Sequence, residues 1–405
     1  MSDSTTAPQG RPPHRPAVSI PAALLALLLA LLGVTAVACE EKPKCESVKT
    51  APKGDERPFE ILFDSTADAT AGRFPPALRT MIRKAAAHPD VFSGAAVQGN
   101  APSDFWRFEG YTAHPRSDDP ERRGHLADLV TGCVVAQASA MAPRAPNTDL
   151  LIALQRVGDH IANRPQHATV AVVSNGLNNT PPLDLRELIA ESRPAARVIE
   201  ELGARDQLPA LAGADVTFYG LGDTRPGVPA LPKPYRDWLI GLWLGICKAA
   251  KAASCKSDSG VSGDRAPKNR PADAPFPQLT SGAVSGGPPV VGDTMFEPGS
   301  ARLFPEADNV LRPVARQLRS GRSATVIGHT AHWGSTAYRR SLSGDRAYAV
   351  ARRLLELGVD ASRLKVVAKG SDDPLIRDID PGTGRLIPDA AIRNRRVEIR
   401  LWDPR

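Results

Sequence analysis

The 405-residue chain is short of several things, and each shortage removes a class of function. It has five cysteines and no C-x-x-C pair, which leaves a thioredoxin-type or zinc-ribbon reading without support. No Ser stands in G-x-S-x-G, no Cys–His pair stands in a catalytic context, and no carboxylates are spaced for paired acid–base work. The chain therefore reads as a non-catalytic protein. No nucleic-acid motif and no internal repeat is visible. Aromatic residues are only 5% of the chain. Charge is missing altogether from Ala17 to Cys39, an apolar stretch long enough to span a bilayer as a helix.

Proline is abundant, at 38 residues, and argues for long irregular connections. The length suits two domains plus tails. The net charge of +7 is concentrated near the C-terminus, where residues 290–405 carry 20 Lys and Arg against 14 Asp and Glu. A basic region of this kind meets nucleic acid, anionic lipid or an anionic wall polymer. Behind an export signal, nucleic acid is the least favoured of the three. Arg11 and Arg15 precede the apolar stretch, which places the N-terminus in the cytoplasm and the rest outside.

That stretch ends in Ala36-Val37-Ala38-Cys39, which resembles the lipobox of bacterial lipoproteins, with Ala36 where the family prefers Leu. The resemblance implies cleavage before Cys39 and lipidation of its thiol. An uncleaved anchor and simple cleavage after Ala38 are the alternatives. All three put the remainder on the outer side of the cell membrane. Cys45, Cys133, Cys247 and Cys255 are then an even set in an exported chain, which suggests disulfides. Cys247 and Cys255 are close enough in sequence to pair, leaving Cys45 with Cys133, although the other two pairings stay open.

Residues 40–57 read as a spacer and 58–255 as a folded unit. Phe59–Phe63, Ala168–Ser174 and Asp215–Leu221 are apolar runs suited to buried strands. LLIALQRVGDHI, opened by Thr148-Asp149, is an amphipathic helix. Strands alternating with helices imply a parallel sheet covered on both faces. The order resembles the von Willebrand factor A domain, a doubly wound α/β fold with a metal site at the carboxyl ends of its strands. On this resemblance Asp64 matches the first ligand position, Thr66 replaces a Ser, Thr148 falls in the second loop, and Asn175 stands where the family has Asp. Losing that charge leaves at most weak Mg²⁺ binding, with no cofactor otherwise implied. The domain would then serve as an interaction module whose protein partner the sequence does not name.

Residues 256–289, rich in Ser, Gly, Pro and Ala, read as a flexible linker. The region 290–402 follows, organised around VIGHTAHWGSTAYRRSLSGDRAYAVARRLLELGV. A β-branched strand end leads into a loop from Gly328 to Gly334. Leu342, Ala347, Val350, Leu354 and Leu355 then recur at helical spacing, and Gly358 marks the stop. With NRRVEI at Asn394–Ile399, this resembles the OmpA-like domain, an α+β (βαβαβ) fold that grips peptidoglycan. The resemblance implies that Arg346, in Leu342-Ser343-Gly344-Asp345-Arg346-Ala347, meets the carboxylate of a diaminopimelate unit, with Thr330, Arg339, Asn394 and Arg395 around it. The family's loop Asp is replaced by Ala331, so the anion that would meet the ligand's ammonium is missing. Asp345 is a candidate replacement. Arg346 is expected at the surface, where Arg346→Ala would leave the fold intact. Ala331→Asp is expected to rebuild the pocket.

His329 and His332 form H-x-x-H in a loop without a third ligand, and Asp378 to Thr383 read as a turn rather than a calcium loop. Proton-driven motor stators also carry an OmpA-like domain, but they need an acidic residue within the membrane. Residues 17–39 contain none. The reading that emerges is an envelope protein linking membrane to cell wall. A metal-dependent adhesion receptor is the alternative, and a wall hydrolase a weaker one.

Overall fold

A computed structural model describes residues 45–50, 56–64, 74–99, 105–113, 119–141, 145–162, 164, 167–224, 228–259 and 288–403. Cys39 and the apolar stretch before it lie outside the described residues. Among the described residues, no helix is long and apolar enough to cross a membrane. Lys44–Arg405 forms one compact unit with two sheets.

The first sheet contains β1 (Arg57–Asp64), β2 (Asp90–Val97), β3 (Trp106–Tyr111), β4 (Thr169–Val173), β5 (Asp215–Tyr219) and β6 (Ser254–Asp258), in the order β3-β2-β1-β4-β5-β6. All neighbours are parallel except β2 and β3. Alternation along the strands sorts side chains to two cores. Phe59, Ile61 and Ala171 pack with α1 (Pro76–Ala86) and α2 (Pro120–Ser139). Leu62, Val170, Val172, Val216 and Phe218 pack under α3 (Leu150–Ala162), α4 (Leu185–Ala190), α5 (Ala195–Ala204) and α6 (Lys233–Ala249). These strands are nearly continuous apolar runs because both faces are covered.

Two ends of this region differ from the sequence-based expectation. Residues 45–48, expected in a spacer, form a 3₁₀ turn tied to α2 by the Cys45–Cys133 disulfide, with Val48 fully buried. Residues 256–258, expected in the linker, complete β6 beside β5. The Cys247–Cys255 disulfide joins α6 to β6 with a Cα separation of 6.1 Å. Both expected pairings are therefore present.

The second sheet has the order β7-β10-β8-β9, from β7 (Val290–Gly292), β8 (Ser323–His329), β9 (Leu364–Gly370) and β10 (Arg396–Trp402). β10 runs antiparallel to β7 and β8, and β8 parallel to β9. The helices are α7 (Asp308–Arg319), α8 (Thr336–Glu356) and α9 (Pro388–Asn394), so the element order is longer than βαβαβ by a strand and a helix. Gly328 lets α8 lie close on β8: a Cβ there would collide with the Ser343 carbonyl. Ser335 Oγ caps α8 by accepting from the Tyr338 amide at 3.1 Å. Gly358, at φ +83°, closes it, with its own amide on the Leu355 carbonyl and the Val359 amide on that of Leu354.

Candidate functional site

Two of the expected ligand-reading residues, Arg346 and Arg395, meet at one carboxylate that the sequence did not flag. Asp293, just after β7, is 4% exposed and sits among Arg346, Arg395 and Tyr235. Arg346 Nη1 donates to Asp293 Oδ1 at 2.7 Å. Arg395 Nε donates to Oδ2 at 2.9 Å, and the Tyr235 hydroxyl donates to the same oxygen at 2.5 Å. Burial alone would raise the Asp293 carboxyl, but Arg395 and then Arg346 outweigh it and hold it at about 2. Burial, together with the charge on Asp293, pushes the Tyr235 phenol far upward, so it remains a donor.

Arg346 is fully buried, contrary to its expected surface position. Its aliphatic neighbours on α8 face the core, and the guanidinium lies over the Phe296 ring at 4.7 Å. Nε donates to the Ser300 carbonyl at 2.9 Å, while Nη2 has no hydrogen-bond partner among the described residues. Arg346→Ala is therefore not a neutral surface change, since it would strip Asp293 of a charged partner inside the protein. The expected substitute anion, Asp345, is exposed and accepts from Ser341 Oγ at 3.2 Å. The anion beside Arg346 is Asp293 instead.

Arg395 is buried as well and reaches the six-stranded region. Its Nη2 donates to the Ile189 carbonyl at 2.9 Å and its Nη1 to the Ala190 carbonyl, both at the end of α4. Ala331, expected where the OmpA-like family has Asp, is 3% exposed and packs with Ala190 and Ala391.

The other expected residues have scaffold contacts. Asn394 ends α9 rather than starting the closing strand, which begins at Arg396. Its Oδ1 accepts from the Leu375 and Ile376 amides at 2.8 and 3.2 Å, and its Nδ2 donates to the Ile376 carbonyl at 2.8 Å. Thr330 is buried; its amide donates to the Gly370 carbonyl at 2.8 Å, and its hydroxyl has no partner among the described residues. Arg339 folds back on its own loop, donating to the Gly334 carbonyl at 2.8 Å and to Thr336 Oγ1 at 3.0 Å. His332 Nδ1 lies 2.7 Å from Asp378 Oδ1, and Asp380 Oδ1 accepts from the Gly382 and Thr383 amides, which is the turn expected there.

At the carboxyl ends of the first sheet, Asp64 Oδ2 accepts from Ser174 Oγ at 2.7 Å, and Asn175 Oδ1 accepts from the Leu177 amide at 2.9 Å. Thr148 is fully buried, its amide donating to Asn179 Oδ1 at 2.8 Å. Asn178 accepts from the Leu150 amide at 2.6 Å, so Asn178 and Asn179 brace the start of α3. Thr66 lies outside the described residues. Among the described residues no three His, Cys, Asp or Glu gather, and of the expected ligands Asp64 is the one described carboxylate, already engaged by Ser174 Oγ beside neutral groups.

Sequence reasoning missed Asp293 and Tyr235. Asp293 is 53 residues from Arg346 and 102 from Arg395, and no local pattern marks it.

The C-terminal part is an OmpA-family domain: a model described as "OmpA family" matches residues 295–383. The chain is 35% identical over 111 residues to Outer membrane protein A of Bordetella avium, covering 27% of this chain and 54% of that protein. It is 33% identical over 139 residues to the Peptidoglycan-binding protein ArfA of Mycobacterium tuberculosis, covering 33% of this chain and 39% of that one. The chain thus spans about half or less of the length of these curated relatives. Among solved structures, the peptidoglycan-associated lipoprotein from Burkholderia pseudomallei aligns at 26% identity with a TM-score of 0.23, covering 25% of this chain and 83% of that one.

Proposed function

We propose that this is a non-catalytic cell-envelope protein whose C-terminal domain binds peptidoglycan through the centre formed by Arg346 and Arg395. One observation carries the reading: two buried guanidiniums converge on a single carboxylate, one of them, Arg346, inside the stretch that matches the OmpA family and the other, Arg395, with Asp293 just outside its two ends. Forked guanidiniums read carboxylates by paired, charge-assisted hydrogen bonds. Arg346 Nη2 and the Thr330 hydroxyl are spare polar groups that a wall stem peptide would engage. The printed name of the mycobacterial relative, a peptidoglycan-binding protein, supports the same ligand class.

The six-stranded region is read as a von Willebrand A-like interaction module, supported by its one antiparallel edge strand and its helices on both faces. Its protein partner is unnamed. The adhesion-receptor alternative needs a cation site at the strand ends, which the described donors fit poorly. Attachment at Cys39, or by the apolar stretch, would hold both regions on the outer side of the membrane.

The test is sedimentation of the intact chain with purified sacculi, with and without a free diaminopimelate-containing stem peptide. Retention that the free peptide competes away is expected. Because the centre is buried, this competed fraction should resist salt, unlike contacts made by exposed arginines. Retention that the peptide leaves unchanged and high salt removes would reduce the domain to a basic adaptor for some other anionic surface.

A further inference from the structure

The end of α4 lies on the very guanidinium proposed to read the wall. We infer that the six-stranded region is a plug, holding the peptidoglycan centre closed by placing the Ile189 and Ala190 carbonyls where a ligand carboxylate would bind. This rests on the peptidoglycan reading above and adds a regulatory state to that same site.

The chemistry of the occupant fits. The last carbonyls of a helix lack intrahelical donors and carry the negative end of its dipole. Ala190 is the last residue of α4, and its carbonyl accepts from Arg395 Nη1. Arg395 is left with little to offer solvent: Nε and Nη2 are on Asp293, and Nη1 and Nη2 are on the two carbonyls. An incoming carboxylate must displace α4 to reach it.

The surrounding seam is complementary. Ala331 packs against Ala190 and Ala391, so a carboxylate at position 331 would face the carbonyl end of α4. Ala331→Asp is then expected to disrupt the seam rather than simply rebuild a pocket. The Gly299 amide donates across to Ser192 Oγ at 3.0 Å. Gly299 has φ +67°, and a Cβ there would stand 2.7 Å from both Pro194 Cδ and the Ser192 carbonyl, so the approach admits only glycine. At the rim Arg385 forms an ion pair with Glu187, and Arg193 lies over Trp333 at 5.9 Å.

The latch is also reversible in principle. Two neutral carbonyls compete with a full anion, and a carboxylate adds the attraction of opposite charges to the hydrogen bonds that the carbonyls already accept from the guanidinium. A wall rich in stem-peptide carboxylates would open the seam by binding the open state. Until then the apparent affinity is lowered by the fraction of molecules that are open.

The experiment uses the full chain and two variants placed outside the anion centre. Ala190→Trp puts bulk into the alanine contact, and Glu187→Arg sets like charges against Arg385. Hydrogen exchange of the Gly299 amide reports whether the seam is closed, and sedimentation with purified sacculi reports binding. Protection of Gly299 in the parent, its loss in the variants, and at least tenfold higher retention of the variants on sacculi are expected. Equal retention of the parent and of variants with an open seam would overturn the plug while leaving the peptidoglycan reading in place. Failure of both parent and open variants to bind would instead remove the peptidoglycan reading, and the plug with it. Should Ala190→Trp fail to fold, Glu187→Arg carries the comparison. A parent whose Gly299 amide exchanges freely overturns the plug without any variant.

Discussion

Two buried carboxylates, one in each sheet region, face opposite fates. Asp293 has two guanidiniums and a phenol around it and stays ionised, with its carboxyl held at about 2. Glu60, in the middle of β1, is fully buried and has no hydrogen-bond partner for either oxygen among the described residues. Burial pushes its carboxyl up to about 8, against a smaller opposing effect of Arg164. The nearest basic group is His160, with Nε2 at 3.5 Å. Burial and then Arg164 lower the pKa of that imidazole, which keeps it neutral. Depth is the same in both places, so depth does not decide charge. What decides it is whether fixed cations replace the lost water.

The sharpest way to break the contrast is to remove the ionised partner. Asp293→Asn leaves Arg346 and Arg395 buried without their anion and should destabilise the compact unit by about 3–5 kcal/mol. Denaturant unfolding checks this, and a change below about 1 kcal/mol would mean that solvent or other acceptors already compensate the arginines.

A gentler cut separates the hydroxyl from the ion pairs. Tyr235→Phe removes one donor to Asp293 but keeps both guanidiniums, so a loss of about 1–2 kcal/mol is expected. Because Tyr235 lies on α6 and Asp293 follows β7, this loss reports coupling across the seam. In the Asp293→Asn background the effect of Tyr235→Phe should shrink markedly, and strict additivity would show that the hydroxyl acts independently of the carboxylate.

The smallest effect is a pH slope from Glu60. Its folded pKa lies above the unfolded value of 4.5, so its stabilising contribution is complete below that value and is lost as pH rises towards about 8. His329, lowered to about 4 by burial and then by Arg396, works the other way, contributing above 6.5 and losing that contribution as pH falls. Between pH 7 and 8 the slope should therefore come from Glu60, at about 1 kcal/mol of lost stability per pH unit. Glu60→Gln should flatten the profile in that window. An unchanged slope would place the titrating group elsewhere.

Much of the scaffold was legible because it obeys local rules. The β-branched runs became strands, LLIALQRVGDHI became α3 with Asp149 Oδ1 accepting from the Ile152 amide, and Gly358 ended α8. Errors at the edges have a common cause. Residues 45–48 look polar and short, yet a disulfide partner 88 residues away ties them to α2. Residues 256–258 look like linker, yet β5 supplies a free strand edge for them. The site was half legible. Arg346 and Arg395 stood out by motif, but a motif carries no information on burial, so Arg346 was expected at the surface.

By itself the sequence determined the alternation of strands and helices, the presence of an OmpA-family segment and the even cysteine set, because spacing and residue type act over a few neighbours. Only the tertiary structure decided that Asp293 is the anion of the centre, that Tyr235 from the other region shares it, and that the carbonyls of Ile189 and Ala190 cover Arg395. Arg395 and Ala190 are 205 residues apart, and Ala190 meets that guanidinium through its backbone carbonyl. Every residue offers the same carbonyl, and it is the place at the helix end that leaves this one available, so nothing in the identity of Ala190 could announce the bond to Arg395.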